Sequence, residues 1–187
     1  ARCMGIVNVV GSTIARESNA GVYIHAGPEI GVASTKAFTS QISVLALLAL
    51  MFGRQRNISQ TEGQEMISAL KALPEQVEQI LQSDDKIREI SEQYHTHDNF
   101  LYLGRGPNYP VALEGALKLK EISYVHAEGY PAAEMKHGPI ALIDPNMPVV
   151  VISTRDSSYE KIRGNVQEVR ARDGKIISLV TEGDAEI

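Results

Sequence analysis

The sequence predicts an α/β fold of doubly wound parallel sheets, with one truncated unit and most of a second unit joined by helices. Short β-branched or apolar segments alternate with longer helical segments in both halves of the chain, and glycines end several of them. Between the halves, residues 57–95 show apolar residues at helical spacing and no strand signal. Alternating strands and helices are typical of parallel sheets that helices cover on both faces.

Two short strands are predicted in the first unit, which we place at residues 1–56. Residues 6–10 are β-branched and end at Gly11, and residues 20–24 form the second candidate strand. A doubly wound sheet contains more strands than these two. We therefore expect the first unit to be truncated and the chain to be a piece of a longer protein.

A long and mostly apolar helix is predicted over residues 34–52. Ser34 or Thr35 can cap its amino terminus, and Gly53 can end it. The longest apolar run, residues 44–52, has nine residues, whereas a helix that spans a bilayer needs about 20. We therefore expect a buried core helix and no contact with a membrane.

The connection between the units, residues 57–95, is predicted to be two amphipathic helices. A break is expected at or near Pro74, and residues 83–85 can cap the second helix. The second unit, residues 96–187, then resumes the alternation and is expected to be truncated at its carboxyl end. Its predicted strands are residues 100–103, 147–153 and 175–180, with a short extended segment at residues 125–130, and its predicted helices are residues 109–124 and 157–172.

Composition excludes several classes of function. The chain is 43% hydrophobic and 22% charged, so it can form an ordinary core, and its net charge of −5 is opposite to that of a nucleic-acid binder. It has no tryptophan and only 5% aromatic residues, which disfavours a base-stacking surface. Cys3 is the single cysteine, so no disulfide forms within the chain and a reducing, cytoplasmic location is expected.

No cofactor and no metal ion are expected. Gly104 and Gly106 follow a predicted strand, but Tyr109 stands where a dinucleotide fingerprint has its third glycine. Residues 95–98 offer possible metal ligands in a predicted loop, without a cysteine or a helical pair of histidines.

Three charged residues share one face of the helix predicted over residues 109–124. At about 100° per residue, Glu114, Lys118 and Glu121 lie within roughly 60° of one another, and the rest of the helix is mostly apolar. The pattern fits either an exposed salt bridge or a polar line that faces a cleft. In a cleft, a carboxylate beside an ammonium group suits proton transfer, because burial and the neighbouring charge tune its pKa.

Two turn regions supply further candidates. His137 precedes Gly138 at the end of a short predicted helix, and a histidine that titrates near neutrality can accept and donate a proton. The alternative is a surface or capping histidine. Residues 31–36 lie at a predicted helix start, where free N–H groups and hydroxyls can bind a sugar hydroxyl or an anion, and ordinary capping by Ser34 is the alternative.

Four segments together resemble the isomerase half of the glucosamine-6-phosphate synthase family, also called glutamine–fructose-6-phosphate aminotransferases (isomerising). They are residues 29–39, 103–106, 112–124 and 134–139. The match runs over essentially the whole chain, in order and with compatible spacing, which makes it more specific than any single motif. It implies that both units are sugar-isomerase (SIS) subdomains.

The resemblance also implies a reaction and residue roles. Fructose 6-phosphate and ammonia from glutamine would become glucosamine 6-phosphate in amino-sugar (UDP-N-acetylglucosamine) synthesis. Glu121 would move a proton between C1 and C2 of the imine, and Lys118 would stabilise charge on the enolamine-like intermediate. His137 would open the sugar ring in the neighbouring subunit of a homodimer. Val32 and Ser34 would contact the sugar.

Several parts of the implied enzyme have no counterpart in this sequence: the phosphate-binding loop, the C-terminal Schiff-base lysine and the glutaminase domain. We therefore expect residues 1–187 alone to make no glucosamine 6-phosphate. Alternatives are a related SIS enzyme, such as a fructosamine deglycase or another amino-sugar isomerase, and a non-catalytic phosphosugar-binding module. Glu121 and His137 together disfavour the module, because a sensor needs no proton shuttle.

Overall fold

Two units make up the chain in a computed structural model that describes residues 1–187. Contacts cluster within Ala1–Arg88 and within Glu89–Ile187. The predicted limits at 1–56, 57–95 and 96–187 divide the chain more finely and stay a prediction.

The first unit contains one parallel pair of strands and three helices, and a fourth helix continues into the second unit. The elements are β1 (Met4–Val7), α1 (Thr13–Glu17), β2 (Ala20–Tyr23), α2 (Lys36–Arg54), α3 (Gln60–Leu81) and α4 (Asp84–Tyr94). β1 and β2 are parallel, with Met4 opposite Ala20 and Val7 opposite Tyr23. Both predicted strands of this unit are therefore present.

The first strand ends earlier than its β-branched sequence predicts. β1 stops at Val7, and Val9 and Val10 are exposed in a turn in which the Ser12 amide donates to the Val9 carbonyl. Gly11 closes this turn with a φ of +73°, a conformation that side chains with a Cβ rarely adopt. The turn geometry overrides the strand propensity of the two valines.

Helix α2 lies at the surface of its unit rather than in a core. Leu50 is its one buried residue, and Leu45, Leu47, Met51 and Phe52 are exposed. The prediction of a buried core helix is wrong for these 187 residues, because a two-stranded sheet is too small to cover so long an apolar surface. By length and composition alone, α2 is also a candidate membrane span, although core helices of water-soluble proteins meet the same criterion.

The amino terminus of α2 is capped by a residue that precedes it in a loop. The Ala37 amide donates to Glu29 Oε1 at 3.0 Å, whereas Thr35, the residue at the cap position, makes no side-chain capping bond. The bond from Ala37, with a smaller contribution from the Ser34 hydroxyl, holds the pKa of Glu29 below its usual value. A carboxylate suits this place because the start of a helix carries a partial positive charge.

Helix α3 continues through Pro74 without a break. Proline removes the amide hydrogen that would bond to the carbonyl four residues earlier, at Leu70. Pro74 is exposed, so water can satisfy that carbonyl. The predicted break lies later, after Leu81, and Asp84 and Asp85 occupy the first turn of α4.

The second unit is a four-stranded parallel sheet with helices on both faces. The elements are β3 (Asn99–Gly104), α5 (Asn108–Ser123), β4 (His126–Pro131), two 3₁₀ helices (Ala132–His137 and Pro139–Leu142), β5 (Val149–Ser153), α6 (Tyr159–Arg170) and β6 (Ile176–Val180). The strand order is β4-β3-β5-β6. The chain winds outwards in one direction through α5 and in the other through α6, which confirms the doubly wound α/β prediction.

The two helices, α5 and α6, pack on opposite faces of this sheet. Successive side chains of a strand point to opposite faces, so neighbouring residues of β3 contact different helices. Tyr102 of β3 faces α5, where a Cβ built on Gly115 would lie 3.0 Å from its ring. The side chains before and after Tyr102 join the core cluster on the α6 side. That cluster consists of Leu101, Leu103, Ala132, Met135, Ile143, Val149, Val151, Ile162, Val166 and Val169.

The end of the chain is held on α6 by a buried carboxylate. The Asp184 side chain is fully buried, and Arg155 Nε donates to its Oδ2 at 3.3 Å. The neighbouring Tyr159 hydroxyl, then the Glu186 amide and Arg155, lower the pKa of Asp184 to about 2. The charged form of this carboxylate is therefore favoured in the folded protein.

Replacing Asp184 with asparagine is expected to remove part of the pH dependence of stability. The pKa of Asp184 is lower in the folded state than its ordinary value of 3.8. The contribution of Asp184 to the free energy of unfolding is therefore fully present above about pH 4 and is lost as the pH falls through about 2. Asp184→Asn should lower the urea midpoint of unfolding at neutral pH. It should also make the fall of that midpoint between about pH 4 and about pH 2 less steep. Urea midpoints across this range test the prediction, with Asp173→Asn, an exposed carboxylate of the same unit, as control. An unchanged decline in Asp184→Asn would contradict it.

Candidate active site

Helix α5 carries three of its four charged residues on the side that faces away from the sheet. Its buried residues are Ala112 and Ala116. At about 100° per residue, they lie roughly opposite the face that carries Glu114, Lys118 and Glu121. The three charged residues therefore form a stripe on the outer surface of α5.

Small residues bring α5 close to the strands beneath it. A Cβ on Gly104 would overlap the backbone carbonyl of Asn108 in the first turn of the helix. A Cβ on Gly129 of β4 would lie 2.8 Å from the Cα of Leu113. This close contact makes α5 a rigid carrier, which a catalytic group needs in order to keep its geometry.

Lys118 joins the two carboxylates of the stripe. Its Nζ lies 2.7 Å from Glu121 Oε2 and 3.2 Å from Glu114 Oε1. The hydrogen bond to Glu121 is the main cause that raises the pKa of Lys118, and Glu114 adds to the effect. Lys118 therefore remains an ammonium group that holds Glu121 in one orientation.

The stripe is partly sheltered, and exposed aliphatic side chains border it. The Lys118 and Glu121 side chains are 23% and 29% exposed. Val111, Leu117 and Ile122, on either side, are exposed, although the sequence led us to expect a mostly buried helix. The difference arises because only two residues of α5, both alanines, are buried against the rest of the chain. The outer face of α5 thus has a charged centre and apolar borders.

Glu114 completes the stripe and was left out of the predicted site. It is the second carboxylate on Lys118, and it lies four residues earlier in the helix. That spacing was the available signal, because side chains four residues apart meet on one helical face.

His137 lies on a different segment of the second unit. It ends the 3₁₀ helix Ala132–His137, and Gly138 follows with a φ of +140°. Its side chain is 75% exposed, and its Nε2 lies 3.9 Å from Glu134 Oε2. No hydrogen bond or ion pair joins it to Lys118 or Glu121, so the three predicted catalytic residues do not form one contact network in the single chain.

Val32 and Ser34 belong to the first unit. Val32 is 87% exposed in the loop before α2, and Ser34 is half-buried beside Glu29. Because Glu29 accepts the Ala37 amide, a carboxylate already occupies the helix start that we considered for an anion. The sugar contacts of Val32 and Ser34 stay a prediction.

Two cavities stand out, and neither is lined by these residues. One of about 140 Å³ lies between β1, α1 and β2 in the first unit. The other, of about 470 Å³, is polar and lies at the amino ends of the strands of the second unit, beside His97 and Lys175. Ligands of open α/β sheets bind at the opposite, carboxyl edge. We therefore do not place a substrate site in the second cavity.

The histidines considered as metal ligands make backbone contacts at the end of α4. His95 Nδ1 lies 2.8 Å from the Glu92 carbonyl oxygen, and His97 Nδ1 lies 3.2 Å from that of Tyr94. No group of three or more histidine, cysteine, aspartate or glutamate side chains in residues 1–187 is arranged to hold a metal ion.

Sequence comparison gives matches along the whole chain. The family model of the SIS domain matches residues 1–51 and 94–187. A glutamine–fructose-6-phosphate aminotransferase (isomerizing) from Chlorobaculum tepidum is 60% identical over 187 residues, and one from Thermus thermophilus is 54% identical over 188. Each match covers 100% of the chain and 30% or 31% of the relative. The chain thus spans about a third of the length of these curated relatives.

Solved structures agree with the architecture. The C-terminal domain of glucosamine-fructose-6-phosphate aminotransferase from Francisella tularensis has a TM-score of 0.93 and 46% identity, and the match covers 96% of the chain and 51% of that domain. Glucosamine-6-phosphate deaminase from Thermotoga maritima has a TM-score of 0.74 at 24% identity, over 98% of the chain and 53% of its own. The second similarity concerns the fold alone.

Proposed function

Because the chain belongs to the SIS domain family, we propose that it is part of the isomerase region of a glutamine–fructose-6-phosphate aminotransferase (isomerising). The observation that carries the proposal is the Lys118–Glu121 pair, 2.7 Å apart on the outer face of α5. It occurs in a chain 60% identical to a relative of that name. The complete protein would make glucosamine 6-phosphate from fructose 6-phosphate and glutamine-derived ammonia, for amino-sugar synthesis in the cytoplasm.

Glu121 would be the base of the ketose-to-aldose shift. After ammonia has replaced the C2 carbonyl oxygen as an imine, the carboxylate would remove a proton from C1 and return it to C2. The C1 hydroxyl loses its own proton as the aldehyde forms, and the imine nitrogen gains one as it becomes the amine, so the atoms balance. Glu121 Oε2 is held by Lys118, which leaves Oε1 for the substrate carbons. A base must lie within hydrogen-bond reach of the proton that it moves, and a rigid helix supports this.

Lys118 would stabilise negative charge that develops on the substrate during this transfer. The contact with Glu121 raises the pKa of Lys118, so its ammonium group remains charged over the working pH range. A fixed positive charge next to the developing charge lowers the barrier, because it needs little reorganisation at the moment of reaction.

His137 would act in the active site of a second copy of the chain, which requires at least a homodimer. Its high exposure and its lack of contact with Lys118 or Glu121 support this arrangement. The apolar borders of the stripe, including Leu117 and Ile122, support a face that another part of the complete protein covers.

Val32 and Ser34 would contact the phosphorylated sugar. The exposure of Val32 and the partial exposure of Ser34 leave both side chains accessible to a ligand. A glutaminase domain would supply the ammonia from elsewhere in the complete protein, of which the chain spans about a third by comparison with its relatives.

The complete protein is expected to form glucosamine 6-phosphate from fructose 6-phosphate and glutamine, whereas residues 1–187 alone should form none. Both samples are assayed for the amino sugar by chromatography, with glutamine omitted as the control. Product with an ammonium salt in place of glutamine but none with glutamine, or release of a free sugar phosphate from a fructosamine 6-phosphate, would indicate the related amino-sugar isomerase or deglycase instead. Binding of the sugar phosphate without turnover by the complete protein would indicate a non-catalytic module.

A further inference from the structure

The segment that carries His137 is a weak element by itself. It is a single 3₁₀ helix, Ala132–His137, and such helices have strained hydrogen bonds and are short. Its orientation must therefore come from contacts with the rest of the unit. Ala132 and Met135 supply two of them, because both are fully buried in the core cluster with residues of α6.

A chain of polar side-chain contacts supplies a third anchor, at the residue directly before His137. Lys136 Nζ lies 2.7 Å from Glu168 Oε1 on α6. Asn165 Nδ2 donates to the other oxygen of Glu168, Oε2, at 3.3 Å. Arg105 Nη1, from the loop after β3, donates to Asn165 Oδ1 at 3.3 Å.

The inner part of this chain differs from an ordinary surface ion pair. Asn165 is only 8% exposed, and the Glu168 side chain is 29% exposed. Asn165 holds Oε2 of Glu168 independently of Lys136, which binds the other oxygen, Oε1. Exposed pairs in which both side chains move freely contribute little, whereas a held carboxylate can fix its partner.

We infer that Glu168, held by Asn165, is a positioning residue that acts through Lys136 to fix the direction in which His137 projects. This inference rests on the proposed function, in which His137 touches the sugar. Lys136 directly precedes His137 in the chain, so the Lys136–Glu168 ion pair holds the residue next to the histidine. A displacement of about 1 Å in a catalytic group can lower the rate by about 100-fold.

The test compares Glu168→Gln, Lys136→Met and the double variant in the complete enzyme. Each single variant is expected to lower kcat for glucosamine 6-phosphate formation by about 10- to 100-fold, with KM for fructose 6-phosphate and the melting temperature nearly unchanged. Because both residues act through one contact, the double variant should be no slower than the slower single variant. Glu160→Gln, an exposed carboxylate on the same helix, is the control and should match wild type.

Three outcomes would overturn the inference. They are an unchanged kcat in both single variants, a loss confined to KM, and losses that multiply in the double variant. Should Glu168→Gln fail to fold, Lys136→Met decides alone. The Lys136 side chain is 61% exposed, so its replacement leaves the core intact. Failure of the proposed function is a separate result, because the wild-type enzyme would then make no glucosamine 6-phosphate.

Discussion

Glu121→Gln in the complete enzyme is expected to lower the turnover for glucosamine 6-phosphate by about 10²- to 10⁴-fold. Glutamine has nearly the size of glutamate, and its amide oxygen can still accept the hydrogen bond from Lys118 that now holds Oε2. It cannot take a proton from C1 at neutral pH. The loss should therefore appear in kcat, while the affinity for fructose 6-phosphate, measured by titration calorimetry, stays close to that of wild type.

The comparison of binding with turnover makes this prediction specific. A residue that only stabilises α5 would lose both quantities together, because the fold of the site would suffer. Equal losses of affinity and turnover in Glu121→Gln would thus assign it a structural role. Glu160→Gln provides the matched control, since it makes the same chemical change at an exposed salt bridge of α6.

The doubly wound topology of the second unit was predictable because three of its four strands, β3, β5 and β6, are short, mostly apolar and followed by turn-forming residues. The run at Val149–Ser153 is buried throughout, as expected of a central parallel strand with helices on both faces. Val9 and Val10 have the same β-branched character and form a turn instead, because the chain reverses at Gly11. β-strand propensity therefore predicted strands correctly only where neighbouring strands were present to pair with the segment.

Periodicity predicts which side chains share a face of a helix, but not what covers that face. Glu114, Lys118 and Glu121 were correctly placed together, because the angle between them follows from helical geometry alone. The exposure of Leu45 on α2 and of Ile122 on α5 did not follow, since burial depends on how much sheet is present to pack against.

Contacts between segments far apart in sequence carry no local signal. Glu29 caps a helix that begins seven residues later. Asn165 on α6 accepts a hydrogen bond from Arg105, which lies in the loop after β3. Neither contact has a recurring spacing from which to predict it. The same limit applies to His137, whose motif indicated a turn but not its distance from Lys118.

Combining two inactive variants in one dimer is expected to restore activity. In the proposed homodimer, each site takes Glu121 from one subunit and His137 from the other. A heterodimer of Glu121→Gln and His137→Gln subunits therefore has one site with both changes and one site with neither. Closed twofold symmetry makes the two sites equivalent in wild type, so the heterodimer should show about half of the wild-type activity.

Two affinity tags, one on each variant, allow the heterodimer to be purified from cells that express both chains. Each variant expressed alone with both tags forms the control homodimer, in which every site lacks one residue and activity should stay at the low level of that variant. If His137 instead acted within its own chain, each subunit of the heterodimer would contain one substitution in its own site, and the purified heterodimer would be as inactive as the controls. That outcome would remove the cross-subunit role and leave the exposure of His137, at 75%, to be explained by closure of its own chain over the substrate.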